Sequence, residues 1–403
     1  MTVKLSSIYD RLILDNPIAV IFSFLCIVAV SLFYSFDLEL DASGESLILE
    51  NDTSLNYYRQ ISQKYASDDF IVIAFRPTKE LLSEQSINTI RALRDELLEL
   101  SNIESVSSIL DVPIIYESGL KLSEITDELL SLDSADIDYD VAYKEFKSNP
   151  LYKELIVSKD GATTALQALF KRDAEYDALL NRRQQLQTSI HALSNTEIIE
   201  LEDIKQKIRI KNKSLSKTRE QDIKLIREII ARQKDQGELY LGGIPMITVD
   251  MIQFIKHDLV VFGSGVFIFL VLILSLFFHK VRWVLLPMLI CAITGLSSIG
   301  FMGFSGWAIT VISSNFLSIL LIITLSLTIH LIVRYRDLQL SYPASTHKEL
   351  IKLTTASMAR PCFYTILTTA VAFASLVVSE IRPVIDFGWI MVIGLAIAFI
   401  VSF

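Results

Sequence analysis

The sequence predicts a membrane α-helical bundle of six spans, arranged one plus five, with a large water-exposed α+β domain between the first and the second. Three observations carry this. Apolar residues make up 51% of the 403-residue chain and mean hydropathy is +0.44, too high for an ordinary soluble globule. Charged residues still make up 21%, and most of them fall in one block at 37–258. Outside that block lie six apolar stretches, each near the ~20 residues a helix needs to cross hydrocarbon.

The spans are 17–36, 259–278, 283–304, 307–333, 361–379 and 384–403. Lys256, His257 and Asp258 bound the second, and His279-Lys280-Val281-Arg282 separates it from the third. Phe304-Ser305-Gly306 makes a tight link to the fourth, and Glu380-Ile381-Arg382-Pro383 divides the last two. The first span reads as a retained anchor rather than a signal peptide. Its apolar run is long, and no small-x-small cleavage site precedes Asp37.

Lys and Arg in short loops set orientation. Lys4 and Arg11 precede the first span, Lys280 and Arg282 follow the second, and Arg334, Arg336, Lys348, Lys352 and Arg360 follow the fourth. Counting crossings puts all three groups on one side, which makes 1–16 and 334–360 cytoplasmic and the 37–258 domain extracytoplasmic. The expected location is the cell inner (plasma) membrane. Within 334–360, Leu350, Ile351, Leu353 and Met358 alternate with Lys and Thr, as in a short amphipathic helix on the leaflet surface or an ordinary polar linker.

In the soluble block, 69–76 is β-rich and Pro77 ends it. Ser83 can cap a helix to about Leu100 with Ile87, Ile90, Leu93, Leu97 and Leu98 on one face, and 103–109 reads as a second strand, giving a βαβ unit. Residues 127–143 are acidic and helical in character. Residues 155–157 and 162–169 pair around the turn signal Asp160-Gly161. From Ala162 to Gln236 there is no Gly and no Pro. Leu179, Leu186 and Leu193 repeat every seventh position, and Leu201, Ile204, Ile208 and Leu215 follow a break at Ser194-Asn195-Thr196. This predicts an antiparallel helical hairpin inserted at 171–236, about 35–50 Å long and projecting from the domain. It is either a docking arm for a partner or an insertion held by its own seam. The chain returns as a strand at 238–241, and Gly242, Gly243 and Pro245 read as a hinge before the second span.

The composition excludes several functions. A net charge of −9 without a sustained basic patch gives no sign of nucleic-acid binding. Cys26, Cys291 and Cys362 all lie in apolar runs, so the soluble domain has no disulfide framework. There is no phosphate-binding Gly-rich loop and no metal spacing among the five histidines, so neither an enzyme nor a cofactor or metal site is expected. Intramembrane polar residues are the better clue, because lipid exposes their cost. The fourth span carries Thr310, Ser313, Ser314, Asn315, Ser318, Thr324, Ser326, Thr328 and His330, with 310, 314, 318 and 328 near one helical face. His330 is either an interfacial neighbour of Arg334 or a proton relay. Asp386 opens the sixth span, where it can pair with Arg382. Ser326, His330, Thr324, Asn315 and Asp386 are the candidates for a proton or transport pathway.

The order of one helix, an external domain and five helices resembles one half of a resistance–nodulation–division (RND) transporter of the MMPL or sterol-sensing-domain type. The resemblance is most specific at 359–403, through Pro361, Thr365, Leu367-Thr368-Thr369, Phe373, Ser375-Leu376, Pro383, Asp386-Phe387-Gly388 and Gly394. Residues 329–336 are similar to the end of the family's fourth helix, and Leu241-Gly242-Gly243-Ile244-Pro245 with Asp250 and Asp258 to its junction between domain and membrane. The resemblance implies a porter domain of ferredoxin-like βαβ units on a six-helix bundle. It also implies proton-driven export of lipids or other hydrophobic amphiphiles, with membrane lipids and the solute as partners. Many relatives carry an Asp four residues before the position of His330; here it is Ser326, which puts coupling through this half in doubt. The chain stops inside the sixth span, so a second homologous half, or a homo-oligomer, is expected. A periplasmic partner at the hairpin is a further expectation. The competing readings are a lipid-sensing or scaffold module and an ABC-type permease subunit.

Overall fold

The computed structural model describes residues 13–41, 69–114, 131–133, 139–187 and 194–403. Lys4, Arg11, Leu193 and most of the acidic 127–143 stretch lie outside them. The chain divides into two compact units, one of Met1–Arg59 with Met251–Phe403 and one of Gln60–Asp250. Helix α1 (Pro17–Ser35) and the two-residue strand β1 (Leu40–Asp41) open the first unit.

The second unit is a four-stranded antiparallel sheet. Strand β2 (Phe70–Pro77) alternates as a half-covered strand should, burying Ile71, Ile73 and Phe75. Helix α2 (Glu84–Leu98) is capped by the Ser83 hydroxyl, which accepts from the Ser86 N–H, and it buries Ile87, Ile90, Leu93 and Leu97. Strand β3 (Ile103–Ser107), helix α3 (Tyr139–Ser148) and strand β4 (Thr164–Phe170) follow. Residues 131–133 have no helical structure, so the expected acidic helix begins only at Tyr139 among the described residues. The Asp160-Gly161 turn forms, with Gly161 at φ +73, and its two arms pair briefly: Val157 bridges Thr164, and the Ala165 N–H donates to the Ile156 carbonyl at 3.0 Å.

Two helices then form the hairpin, α4 (Ala174–Gln187) and α5 (Asn195–Arg232). Ser194 and Glu197 start α5 with reciprocal side-chain-to-backbone hydrogen bonds. Leu186, Ile204 and Ile208 form the buried seam, with Tyr176, Leu179, Leu180 and Leu201 packed against it. At 38 residues α5 is about 57 Å long, longer than the sequence suggests. The larger correction concerns its end. Ile223, Ile226 and Ile229 belong to the same core as Ile71, Ile73, Phe75 and Ile90. The hairpin is therefore no self-contained insertion, because the last third of α5 is a core helix of the sheet. Its root is fixed where the Arg219 guanidinium lies 3.4 Å from the Phe170 ring centroid and 3.3 Å from Asp69, and where Asn102 donates to Asp222 at 2.9 Å. Burial lowers the pKa of Arg219, against the pull of Asp69 and Asp222.

Strand β5 (Gly237–Gly242) completes the sheet in the order β3-β4-β2-β5, all neighbours antiparallel. The β2-α2-β3 and β4-α5-β5 crossovers each skip one strand, so two split βαβ units interleave. Gly243 has φ +123, and a Cβ there would lie 2.8 Å from the Phe70 carbonyl oxygen, so this turn is tightly packed against β2. Helix α6 (Ile244–Phe277) begins at the next residue, with Pro245 in its first turn. It starts well before the span expected at 259, because Lys256, His257 and Asp258 mark where the apolar stretch begins without breaking the helix.

The first unit resumes within α6 and continues as α7 (Val281–Ser305), strand β6 (Ile309–Thr310), α8 (Phe316–Ser341), α9 (His347–Ala374) and α10 (Arg382–Ser402). With α1 and α6, these give six helices long and apolar enough to cross a membrane. Close approach at glycine binds α1 to α7. A Cβ on Gly300 would collide with Ser31, and one on Gly303 with the Tyr34 carbonyl. Helix α8 packs against α7, α9 and α10.

Two segments differ from expectation. The stretch 307–315 is not helical: Gly306 turns the chain at φ +65, β6 pairs in parallel with β1, and a 3-10 turn at Ser313–Asn315 precedes α8. Thr310 and Ser313 exchange backbone-to-hydroxyl hydrogen bonds of 2.8 and 3.4 Å, which hold the backbone away from a helix. The amphipathic segment is no separate element either. Thr346 and Glu349 cap α9, which runs unbroken past Pro361, so the proline removes one backbone hydrogen bond without ending the helix.

Candidate functional site

The interior of the membrane unit is lined by hydroxyls from two helices. On α8, Thr324 and Thr328 are buried, and each donates to the carbonyl one turn back, Leu320 at 2.7 Å and Thr324 at 2.5 Å. On α7, Thr294, Ser297 and Ser298 are buried. Ser298 donates to the Thr294 carbonyl at 2.8 Å, but the hydroxyls of Thr294 and Ser297 have no partner among the described residues. Sequence reasoning concentrated on the fourth span and passed over this α7 trio, although three hydroxyls within five positions of an apolar run were visible.

The predicted pathway residues separate. Thr324 is fully buried, whereas Ser326 and His330 lie on the exposed side of α8, with Ile322 and Val333 on the same stripe. The period explains this, since 322, 326, 330 and 333 advance by one turn each. Asn315 is exposed in the 3-10 turn, and Asp386 is half-buried in the first turns of α10. The face expected from 310, 314, 318 and 328 does not exist, because Thr310 and Ser314 precede the helix. Ser314 instead donates to Val311 at 2.9 Å and approaches Asp258 at 3.5 Å.

One end of this unit is cationic and aromatic. Trp283 and Tyr335 meet with ring centroids 5.7 Å apart and planes tilted by 53°, Arg282 lies over Trp283, Arg336 lies over Phe278, and the Tyr335 hydroxyl meets His347 Nδ1 at 2.7 Å. Lys348 pairs with Asp15 at 2.5 Å. The basic segments around 280, 335 and 348 thus gather at the same end of the bundle.

The other unit has a cleft of about 700 Å³ at the end of α5 beside the edge strand β5. Arg76, Lys234 and Arg227 place cations around it, Glu238 places an acid opposite Arg76, and Ile230, Leu239 and Tyr240 supply apolar surface. Asp250 neutralises Arg227 at 2.7 Å. Arg76 interacts electrostatically with Asp160 and stands opposite Glu238, whereas Lys234 has no ion pair among the described residues and is the cation left open to a polar or anionic group.

Among the described residues six helices are long and apolar enough to cross a membrane, which together with a family match marks a multi-pass membrane protein of the transporter type. The chain belongs to the MMPL family, whose model matches residues 202–403. That match begins inside α5 and runs through α10, so the helix that roots the hairpin in the sheet falls within the family region. No curated protein matches the chain.

Proposed function

We propose that this chain is a transporter half that moves lipids or other hydrophobic amphiphiles to the extracytoplasmic side, driven by protons. The observation that carries the reading is the cleft beside β5, where Arg76 and Lys234 border apolar Ile230 and Leu239. A molecule with a polar head and an apolar tail fits such a lining. In this reading the split βαβ sheet is a ferredoxin-like porter domain facing outward, and the basic end of the bundle is cytoplasmic.

The exposed stripe of α8 supports a second homologous half or a second copy as its cover. Ser326 and His330 are costly against lipid, and contact with protein would remove that cost. His330 is then the titratable group through which this half would take part in proton coupling. Ser326 lies on the same exposed side of α8, Asn315 in the 3-10 turn before it, Thr324 in the interior and Asp386 on α10. The hairpin is the place for an extracytoplasmic partner, since Ile199 and Ile210 stay 70% and 65% exposed on α5.

The test is movement of a fluorescent phospholipid across proteoliposomes of the full-length protein under a pH gradient. Uncoupling the gradient is expected to stop it. Arg76→Ala with Lys234→Ala is expected to slow it, and His330→Gln to flatten its pH dependence. Movement that needs no gradient and is indifferent to these substitutions would sink the reading, and dependence on added ATP would point to a permease instead.

A further inference from the structure

The α7 sequence around Cys291–Gly300 sets three hydroxyls into an otherwise apolar helix. A serine or threonine there usually satisfies itself by donating to the carbonyl one turn back. Ser298, Thr324 and Thr328 do so. Thr294 and Ser297 do not: they are 0% and 7% exposed, and neither hydroxyl meets a partner among the described residues. Left dry, each would cost about 1–3 kcal/mol, which is why buried polar groups are nearly always paired with protein or water.

Their neighbours show where they lie. At about 100° per residue, the faces of α7 can be assigned from its contacts. Cys291 and Gly295 meet α8 at Leu321 and Leu317, and Gly300 and Gly303 meet α1. Ser298, Phe301 and Met302 line a cleft with Ile390, Ile393 and Gly394 of α10 and with Trp307. Thr294 sits one turn before Ser298 on that α10 side, and Ser297 falls between it and the α1 face. The cleft has a volume of about 10 Å³, close to the smallest space that holds one water, and of the three hydroxyls Ser298 lines it, with Thr294 and Ser297 within the preceding turn of α7.

We propose that the α7–α10 interface is a water-binding site inside the membrane unit, opening at Ser298 and extending along the preceding turn of α7 to the hydroxyls of Thr294 and Ser297. A hydroxyl both donates and accepts, so water among these groups can pass a proton along without a carboxylate. The site stands on the packing of α7 and does not depend on which solute the protein moves.

Radical footprinting of the full-length protein in H2(18)O tests this, because bound water labels the side chains it touches. Met302 lines the cleft and is 2% exposed, whereas Met288, on the same helix and 5% exposed, packs against Leu270 and Leu274. Met302 is expected to take up label several-fold faster than Met288. Thr294→Val with Ser297→Ala is expected to slow Met302 and leave Met288 unchanged. Equal rates in the unsubstituted protein would overturn the site. Fast labelling of Met302 that survives the double substitution would overturn its assignment to these hydroxyls, since bulk water would then be the source. A rise in melting temperature of the double variant would do the same, because it marks the removal of dry, unpaired hydroxyls.

Discussion

Truncating Ile226 should unlock the whole α+β unit, whereas truncating Ile208 should loosen only the hairpin. Both residues lie on α5 and both are buried, at 0% and 5% exposure. Their surroundings differ: Ile226 belongs to the core of the sheet, and Ile208 to a seam of two helices. Isoleucine to alanine removes three carbons, about 2.4 kcal/mol at ~0.8 kcal/mol per methylene, and incomplete collapse of the cavity extends the range to about 2–5 kcal/mol. At about 1.4 kcal/mol per factor of ten, the figure of about 2.4 kcal/mol makes opening roughly fifty-fold more frequent. Hydrogen exchange on the intact protein in detergent reads this segment by segment. In Ile226→Ala, exchange should speed up together in β2, β4, α2 and the last third of α5. In Ile208→Ala, it should speed up in α4 and the first half of α5, with β2 and β4 unmoved. If Ile226→Ala leaves the strands protected, α5 is not a core helix and the hairpin is a detachable insertion after all.

Two further outcomes follow from other contacts. Gly303→Ala should lower the melting temperature of the detergent-solubilised protein, because the new methyl collides with the Tyr34 carbonyl; an increase, as alanine's ~1 kcal/mol helix advantage alone would give, contradicts the close α1–α7 crossing. The hairpin should loosen in acid. The Lys211 ammonium holds Asp173 below its ordinary value of 3.8, the Ser194 N–H and hydroxyl hold Glu197 below 4.5, and Arg182 holds Glu200 below 4.5. Carboxylates depressed on folding add stability above their unfolded values and lose it as pH falls through the folded ones. Hydrogen exchange in α4 and the first half of α5, corrected for its intrinsic pH dependence, should therefore rise relative to the sheet below about pH 4. A constant ratio would show that these ion pairs contribute nothing to the hairpin.

Much of this architecture was legible along the chain, and the reasons are local. Apolar runs of span length, turn signals such as Phe304-Ser305-Gly306, and a gap in charge at each crossing are one-dimensional quantities, and they mark the six helices by themselves. The same holds for the Ser83 cap, the alternation in β2, and the heptad seam of the hairpin. Helix ends were harder to read. Hydropathy reports where lipid would begin, but a helix continues through polar residues that form it well, as α6 does before 259 and α9 does before Pro361.

What only the tertiary structure decided is which side of each element is inside. The sequence marks Ser326, His330 and Thr324 alike as polar residues of one span, but packing against α7, α9 and α10 buries Thr324 and turns the other two outward. Nothing local distinguishes the Ile204 and Ile208 end of α5 from its Ile223 and Ile226 end. Their different roles come from contacts with strands far away in the chain. The α7 hydroxyls make the same point, since a polar residue in an apolar helix becomes a candidate site only when its neighbours leave it without a partner.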